Sequence, residues 1–360
     1  MRRPFRRFIT SAALLMLATA AAVAQERPAV GVVGPFSGPL AILGQQLRDG
    51  ATLAAGDAAT LTFADDVCTA DGGRAAATQL VAAKVRVAIG FFCTEAIEAA
   101  LPALKDAGIP VITVGVRTDA LTDRRTKTGW PVYRLAPRAD AERAAVAKIL
   151  TELWRTELFA IVDDGTIYSR ELAESLRLAV ETAGLQPVFV DTYRPQMDNQ
   201  IGLVGRLRRT EATRVFVGGD RDDLAILARD AKALEVPLVV AGGETLRSAP
   251  GDVQLAAGTL MIGLPEWAGI APPETVARIR AAGVQPEGYV LPAYAAMQVA
   301  LAALSGADPL ASGSVGGALD ASETDTAIGK VAFDAKGDAT LPFYGLFRFD
   351  GTRFIAVGDE

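Results

Sequence analysis

Short apolar runs alternate with helix-period segments almost to residue 300, and no other feature constrains the fold of this chain as strongly. Strand candidates are Ala29–Val33, Leu61–Ala64, Val85–Gly90, Pro110–Val114, Leu158–Val162, Pro187–Asp191, Arg214–Val217 and Pro237–Ala241. Between them, Val146, Ile149, Leu150, Leu153 and Trp154 share one helix face. Leu172, Leu176, Ala179, Val180 and Ala183 share another, with Ser169 expected as N-cap and Gly184 as stop, and Leu224, Leu227, Ala231 and Leu234 mark a third. Repeated β-α units imply parallel sheets covered by helices on both faces, an α/β fold. Ligand sites of such sheets lie beyond the carboxyl ends of the strands. Here those loops are 34–38, 91–95, 115–119, 163–169, 218–222 and 242–245, all rich in small or polar residues. The last quarter changes character. Residues 305–326 are rich in Gly, Ser and Ala. Lys330–Phe333, Phe343–Phe349 and Phe354–Val357 then alternate as strands, with Asp350-Gly351 as a hairpin turn.

The amino end reads as an export signal. Arg2, Arg3, Arg6 and Arg7 precede an apolar stretch from Ile9 to Val23 that is short for a membrane span, and Ala22-Val23-Ala24 is a small-residue cleavage site. The alternative is an uncleaved anchor. Cleavage near Ala24 would release the mature chain into the periplasm, and no Cys lies there to carry a lipid anchor. Loss of the four arginines takes the formal charge from −6 to −10, which disfavours nucleic acid and anionic lipid as partners. Roughly 335 residues remain, a length for two domains.

Histidine is absent from the whole chain, which removes Ser-His-Asp and Cys-His catalysis and most zinc and haem sites. No metal, cofactor or catalytic residue is expected. The two cysteines, Cys68 and Cys93, read as one disulfide in an oxidising compartment, with two buried thiols as the alternative. Asp65-Asp66 and Asp163-Asp164 are the conspicuous carboxylate pairs. Neighbours in a strand face opposite ways, so neither forms an acid/base dyad.

Val33-Gly-Pro-Phe-Ser-Gly-Pro39, Asp65-Asp-Val-Cys68, Ile89-Gly-Phe-Phe-Cys-Thr94 and Gly108-Ile-Pro-Val-Ile-Thr113 follow one another in a specific order. Asp164-Gly-Thr-Ile-Tyr168, Val217-Gly-Gly219, Gly243-Glu244 and Tyr294-Ala-Ala-Met297 continue it. Together they resemble the periplasmic leucine/isoleucine/valine-binding proteins of ABC importers over nearly the whole mature chain. The resemblance implies a type I periplasmic binding fold: two doubly wound parallel-sheet lobes with a hinge and an interlobe ligand cleft. It implies chain crossings near 136, 264 and 328. Residues 1–24 would then be signal peptide, 26–136 with 267–327 lobe one, and 137–264 with 328–360 lobe two.

The resemblance also assigns residues. Thr94, opening a helix over 95–104, would bind a ligand carboxylate or serve as N-cap. Gly115 would let backbone approach the ligand, or is a plain loop glycine. Tyr168 would close over the ligand from lobe two, or pack its own loop. Glu244 would pair with an ammonium, or is a solvated loop acid. Ser37 would bond the ligand or cap the helix that follows, the cap being favoured.

Three departures stand out. Arg117 replaces a threonine, Asp220 an aromatic residue and Leu43 a ring, so more charge and fewer rings are expected in the cleft. Arg117 would clamp a carboxylate, or pair internally with Asp220 or Glu244, and both Arg117 and Asp220 also read as surface residues. The function implied is a monomeric solute-binding subunit of a branched-chain-amino-acid-type importer, taking an amino acid or a related carboxylate or amide to an inner-membrane ABC permease. A periplasmic ligand sensor of the same fold is the alternative, and a secreted enzyme is disfavoured.

Overall fold

Two sheets, each sandwiched between helices, account for the alternation. The structure is a computed structural model and describes residues 27–308, 311 and 313–358; the expected signal peptide, 1–24, lies outside the described residues. The first sheet holds β1 (Ala29–Gly34), β2 (Thr60–Asp65), β3 (Val87–Gly90), β4 (Val111–Thr113) and β5 (Val132–Arg134), all parallel, in the order β2-β1-β3-β4-β5. The second holds β6 (Phe159–Asp163), β7 (Phe189–Thr192), β8 (Arg214–Gly218), β9 (Val239–Gly242) and β10 (Leu260–Gly263). After the small hairpin β11 (Thr324–Thr326) and β12 (Gly329–Val331), β13 (Gly345–Phe349) and β14 (Phe354–Ala356) join its edge in the order β14-β13-β10-β9-β8-β6-β7. β13 runs antiparallel to β10, and its turn into β14 is Asp350-Gly351, as read from sequence.

Away from the edges both faces of each sheet are buried, which is why the inner strands are apolar runs rather than alternations, whereas the edge strands β2 and β7 are partly exposed. Helices Ala41–Ala55 and Val290–Gly306 cover one face of the first sheet, and Ala70–Ala82 and Thr94–Asp106 the other. Val290–Gly306 is apolar around most of its circumference and buries twelve residues. It crosses Ala41–Ala55 at Gly50, where any Cβ would strike the Val290 carbonyl. The second sheet is covered by Ala141–Leu153 and Ile167–Thr182 on one side, and by Ile201–Arg209 and Arg221–Ala233 on the other. Cys68 and Cys93 are disulfide-bonded and tie the loop after β2 to the start of the helix after β3.

The chain passes between the sheets after Arg134, between Gly263 and Trp267, and between Leu341 and Gly345. The last passage corrects the expected crossing near 328. Ile328 and Val331 belong to the core of the first sheet, and Asp338 is held there by Arg134. No local pattern records that pairing. Arg134 is fully buried: Nε donates to Asp338 (2.7 Å), Nη1 donates to the carbonyls of Arg117 (3.0 Å) and Thr118 (2.6 Å), and Nη2 donates to Thr122. Arg138, on the first passage, donates to the other Asp338 oxygen at 2.9 Å and pairs with Asp119, Asp123 and Asp140.

Three caps differ from expectation. Thr166, not Ser169, caps Ile167–Thr182, because its hydroxyl accepts from the Ser169 N–H. Cys93 occupies the N-cap position before Thr94, and Leu40 that before Ala41, neither with a side-chain cap bond.

Replacing Asp338 by Ala strands a buried guanidinium and is expected to cost about 3–5 kcal/mol, read as a fall in the midpoint of urea unfolding. An unchanged midpoint would mean that Thr122 and the two carbonyls satisfy Arg134 alone. Converting both cysteines to Ser opens a loop of 25 residues' separation and is expected to cost about 3 kcal/mol in the same assay.

Candidate functional site

The carboxyl ends of β4 and β9 face each other across the gap between the sheets, and charged side chains meet there. Arg117, in the loop after β4, points its Nη1 to 3.5 Å from the Glu244 carboxylate, carried by the 3-10 turn Glu244–Arg247 after β9. Tyr344, on the third passage, joins the pair: its hydroxyl accepts from Arg117 at 3.4 Å and donates to Glu244 at 3.1 Å. Below Glu244 lies Glu142, 7% exposed, from the first turn of Ala141–Leu153. Its Oε1 accepts from the Glu244 N–H and from the Tyr168 hydroxyl, both at 2.7 Å. Gly243 makes this convergence possible, since a Cβ there would stand 2.5 Å from Glu142 Oε1 and 2.9 Å from the Tyr168 hydroxyl.

Burial pushes the Glu142 carboxyl above its ordinary 4.5, and the nearby Glu244 charge adds to that. Burial likewise raises the phenols of Tyr168 and Tyr344, with Glu142 and Glu244 respectively contributing, so both remain hydroxyl donors at neutral pH. The site therefore offers a guanidinium, two carboxyl groups, one of them with its pKa raised by burial, and two hydroxyls. Such a set can grip both ends of a small zwitterion.

A cavity of about 930 Å³ opens beside the pair. Arg117 and Glu244 line it, and the three passages form part of its wall through Leu135, Pro265, Trp267 and Phe343. Rings reach its wall from segments other than those of Leu43 and Asp220: Trp267, Tyr289, Phe343 and Phe349.

The remaining expected residues take other places. Ser37 is exposed and hydrogen-bonds Asp65 rather than capping a helix. Thr94 is half-buried at the first position of its helix. Gly115 lacks a Cβ for Phe92, whose ring occupies that space and meets Tyr289 edge-on at 4.7 Å. Tyr168 reaches the site through Glu142. Asp220 is exposed at the N-cap of Arg221–Ala233 and, among the described residues, makes no ion pair; of its two expected partners, Arg117 takes Glu244. Glu142 and Tyr344 escaped the sequence reading. A first-turn glutamate looks like a helix-dipole partner, and Tyr344 looks like one more residue of an alternating strand. Among the described residues no group of three or more His, Cys, Asp or Glu is placed to hold a metal ion.

Comparison with known proteins agrees with this layout. The family model described as periplasmic binding protein matches residues 29–347. Leu/Ile/Val-binding protein homolog 3 of Brucella melitensis is 26% identical over 345 residues, covering 91% of this chain and 93% of that protein. A crystal structure of a putative branched-chain amino acid ABC transporter from Rhodospirillum rubrum superposes with a TM-score of 0.75 at 18% identity, over 92% of this chain and 99% of that one. A solute binding protein of an ABC transporter from R. palustris, in complex with 4-hydroxybenzoate, superposes at 0.62 with 16% identity, over 91% and 95%.

The raised carboxyl of Glu142 has a pH signature. Its folded value lies above the ordinary 4.5, so its stabilising contribution is complete below pH 4.5 and is lost as pH rises through the folded value. Glu142→Gln keeps an acceptor oxygen without the charge. Without ligand, the variant is expected to melt above the parent at pH 7, with the gap closing toward pH 4.5. Equal melting at pH 7 would show that the carboxylate charge is fully compensated.

Proposed function

The chain belongs to the periplasmic binding protein family, and on that footing we propose that it captures an amino acid between its lobes and presents it to an inner-membrane ABC permease. The observation that carries this reading is the continuous polar bridge from Arg117 through Tyr344 and Glu244 to Glu142 and Tyr168. At 3.5 Å, with side chains 36% and 24% exposed, the Arg117–Glu244 pair is a loose and weak one. A zwitterion replaces it with two better contacts, carboxylate on Arg117 and ammonium on Glu244. Charge counting favours an amine over a bare aromatic acid. A monoanion would take Arg117 and leave Glu244 beside Glu142 with no cation between them.

We take binding and lobe closure as the protein's work, in keeping with the family model and the solute-binding relatives it matches. No helix among the described residues is long and apolar enough to cross a membrane. Release into the periplasm after cleavage near Ala24, and action as a monomer, are part of the same proposal.

The test is a thermal-shift screen of refolded, ligand-stripped mature protein against amino acids, their amides, dicarboxylates and 4-hydroxybenzoate. A ligand at a hundred times its Kd adds about 2.7 kcal/mol. Amino acids are expected to raise the melting point and their deaminated analogues to leave it unchanged, with Glu244→Gln weakening binding by about 2 kcal/mol or more. A response to 4-hydroxybenzoate alone would move the ligand to the aromatic acids and remove the role given to Glu244.

A further inference from the structure

The cavity wall carries five arginines and three glutamates, and one arginine stands apart from the rest. Arg221 opens the helix after β8 and is only 9% exposed. Its Nη1 donates to the Leu246 carbonyl, its Nε has no partner, and among the described residues no carboxylate lies within ion-pair distance. Buried polar groups are almost always partnered, and an unpaired buried guanidinium costs several kcal/mol. A buried cation held by one carbonyl and one ring, with no counter-charge within ion-pair distance among the described residues, invites an anion.

Arg247 supplies a neighbour. The Arg221 guanidinium lies over the Phe349 ring at 5.8 Å and that of Arg247 over Phe347 at 5.3 Å. Phe347 and Phe349 are two residues apart on β13 and belong to the same core cluster, so they project from one strand face about 7 Å apart. Each guanidinium is stacked on one of these two neighbouring rings, and both arginines line the cavity. Arg247 has an acid partner, Glu266 at 3.3 Å, but that side chain is 70% exposed, and such pairs contribute little. The turn that carries Glu244 toward the first site also supplies the Leu246 carbonyl that fixes Arg221. At about 930 Å³ the cavity lies near the top of the range for small-ligand pockets, ~300–1,000 Å³. It has room beyond an α-amino and an α-carboxyl group.

We propose that Arg221, with Arg247 beside it, forms a second anion subsite in the cleft, so that the preferred ligand is an amino acid whose side chain ends in a carboxylate or similar anion. This rests on the reading of Arg117 and Glu244 as the clamp for the amino acid head group.

The experiment titrates the refolded mature protein calorimetrically with L-2-aminoadipate and L-norleucine, which share a carbon skeleton and differ in the terminal carboxylate. The parent protein is expected to bind aminoadipate about 30-fold tighter or more. Arg221→Met is expected to erase that preference, to leave norleucine binding as it was, and to melt no lower than the parent without ligand. Equal affinity of the parent for both compounds would overturn the second subsite and leave the head-group clamp standing. Equal weakening of both compounds by Arg221→Met would overturn it as well. Failure of both to bind would overturn the amino acid reading and this inference together.

Discussion

The fully buried guanidinium of Arg134 fixes the parts on which the cleft depends. From the end of β5 it holds the carbonyls of Arg117 and Thr118, and so sets the loop that aims Arg117 across the gap. Through Asp338 it anchors a segment that arrives more than two hundred residues later in the chain, just before the third passage and Tyr344. Arg138 binds the same aspartate from the first passage. Two passages between the lobes are therefore pinned to one buried charge cluster. Buried ion pairs of this kind are seldom a net gain in stability, and the return here is position: the linkers, the Arg117 loop and the site are registered to one another.

The cleft that results is arranged for charge rather than for grease. One wall brings a cation, the other an acid, and the Tyr344 hydroxyl, which stays protonated, spans the gap between them. Glu142 lies beneath as a hydrogen-bond acceptor whose charge the fold resists. Aromatic side chains also line the cavity, interleaved with charged ones.

Much of this was legible in the residues, and the rest was hidden for physical reasons. The eight strand candidates of the α/β region all overlap real strands, and six of them fall on strands whose two-sided burial leaves an uninterrupted apolar run, the other two being the edge strands β2 and β7. β5 and β10 were missed. Val132-Tyr-Arg134 is three residues long and ends on an arginine whose partner is distant, and Leu260–Gly263 is four residues without a strong boundary. Arg117 and Glu244 were found from a resemblance in motif, and their pairing was one of two partners weighed. Glu142 and Tyr344 join Glu244 from 102 and 100 residues away, a separation at which spacing carries no signal. The caps failed for a smaller reason. Ser37, Thr94 and Ser169 are all good cap residues, but a shift of one to three positions decides which residue the helix end uses.

The Arg117–Glu244 contact also has a consequence for idle behaviour. It joins the two walls of the cleft directly, so by itself it favours the shape in which they approach each other. A pair worth about 1 kcal/mol multiplies the closed fraction about fivefold. A membrane partner that responds to shape alone would then fire on empty carriers and spend ATP for nothing. The looseness of the contact, long and half-wetted, keeps that leak small while holding both charges ready for whatever arrives.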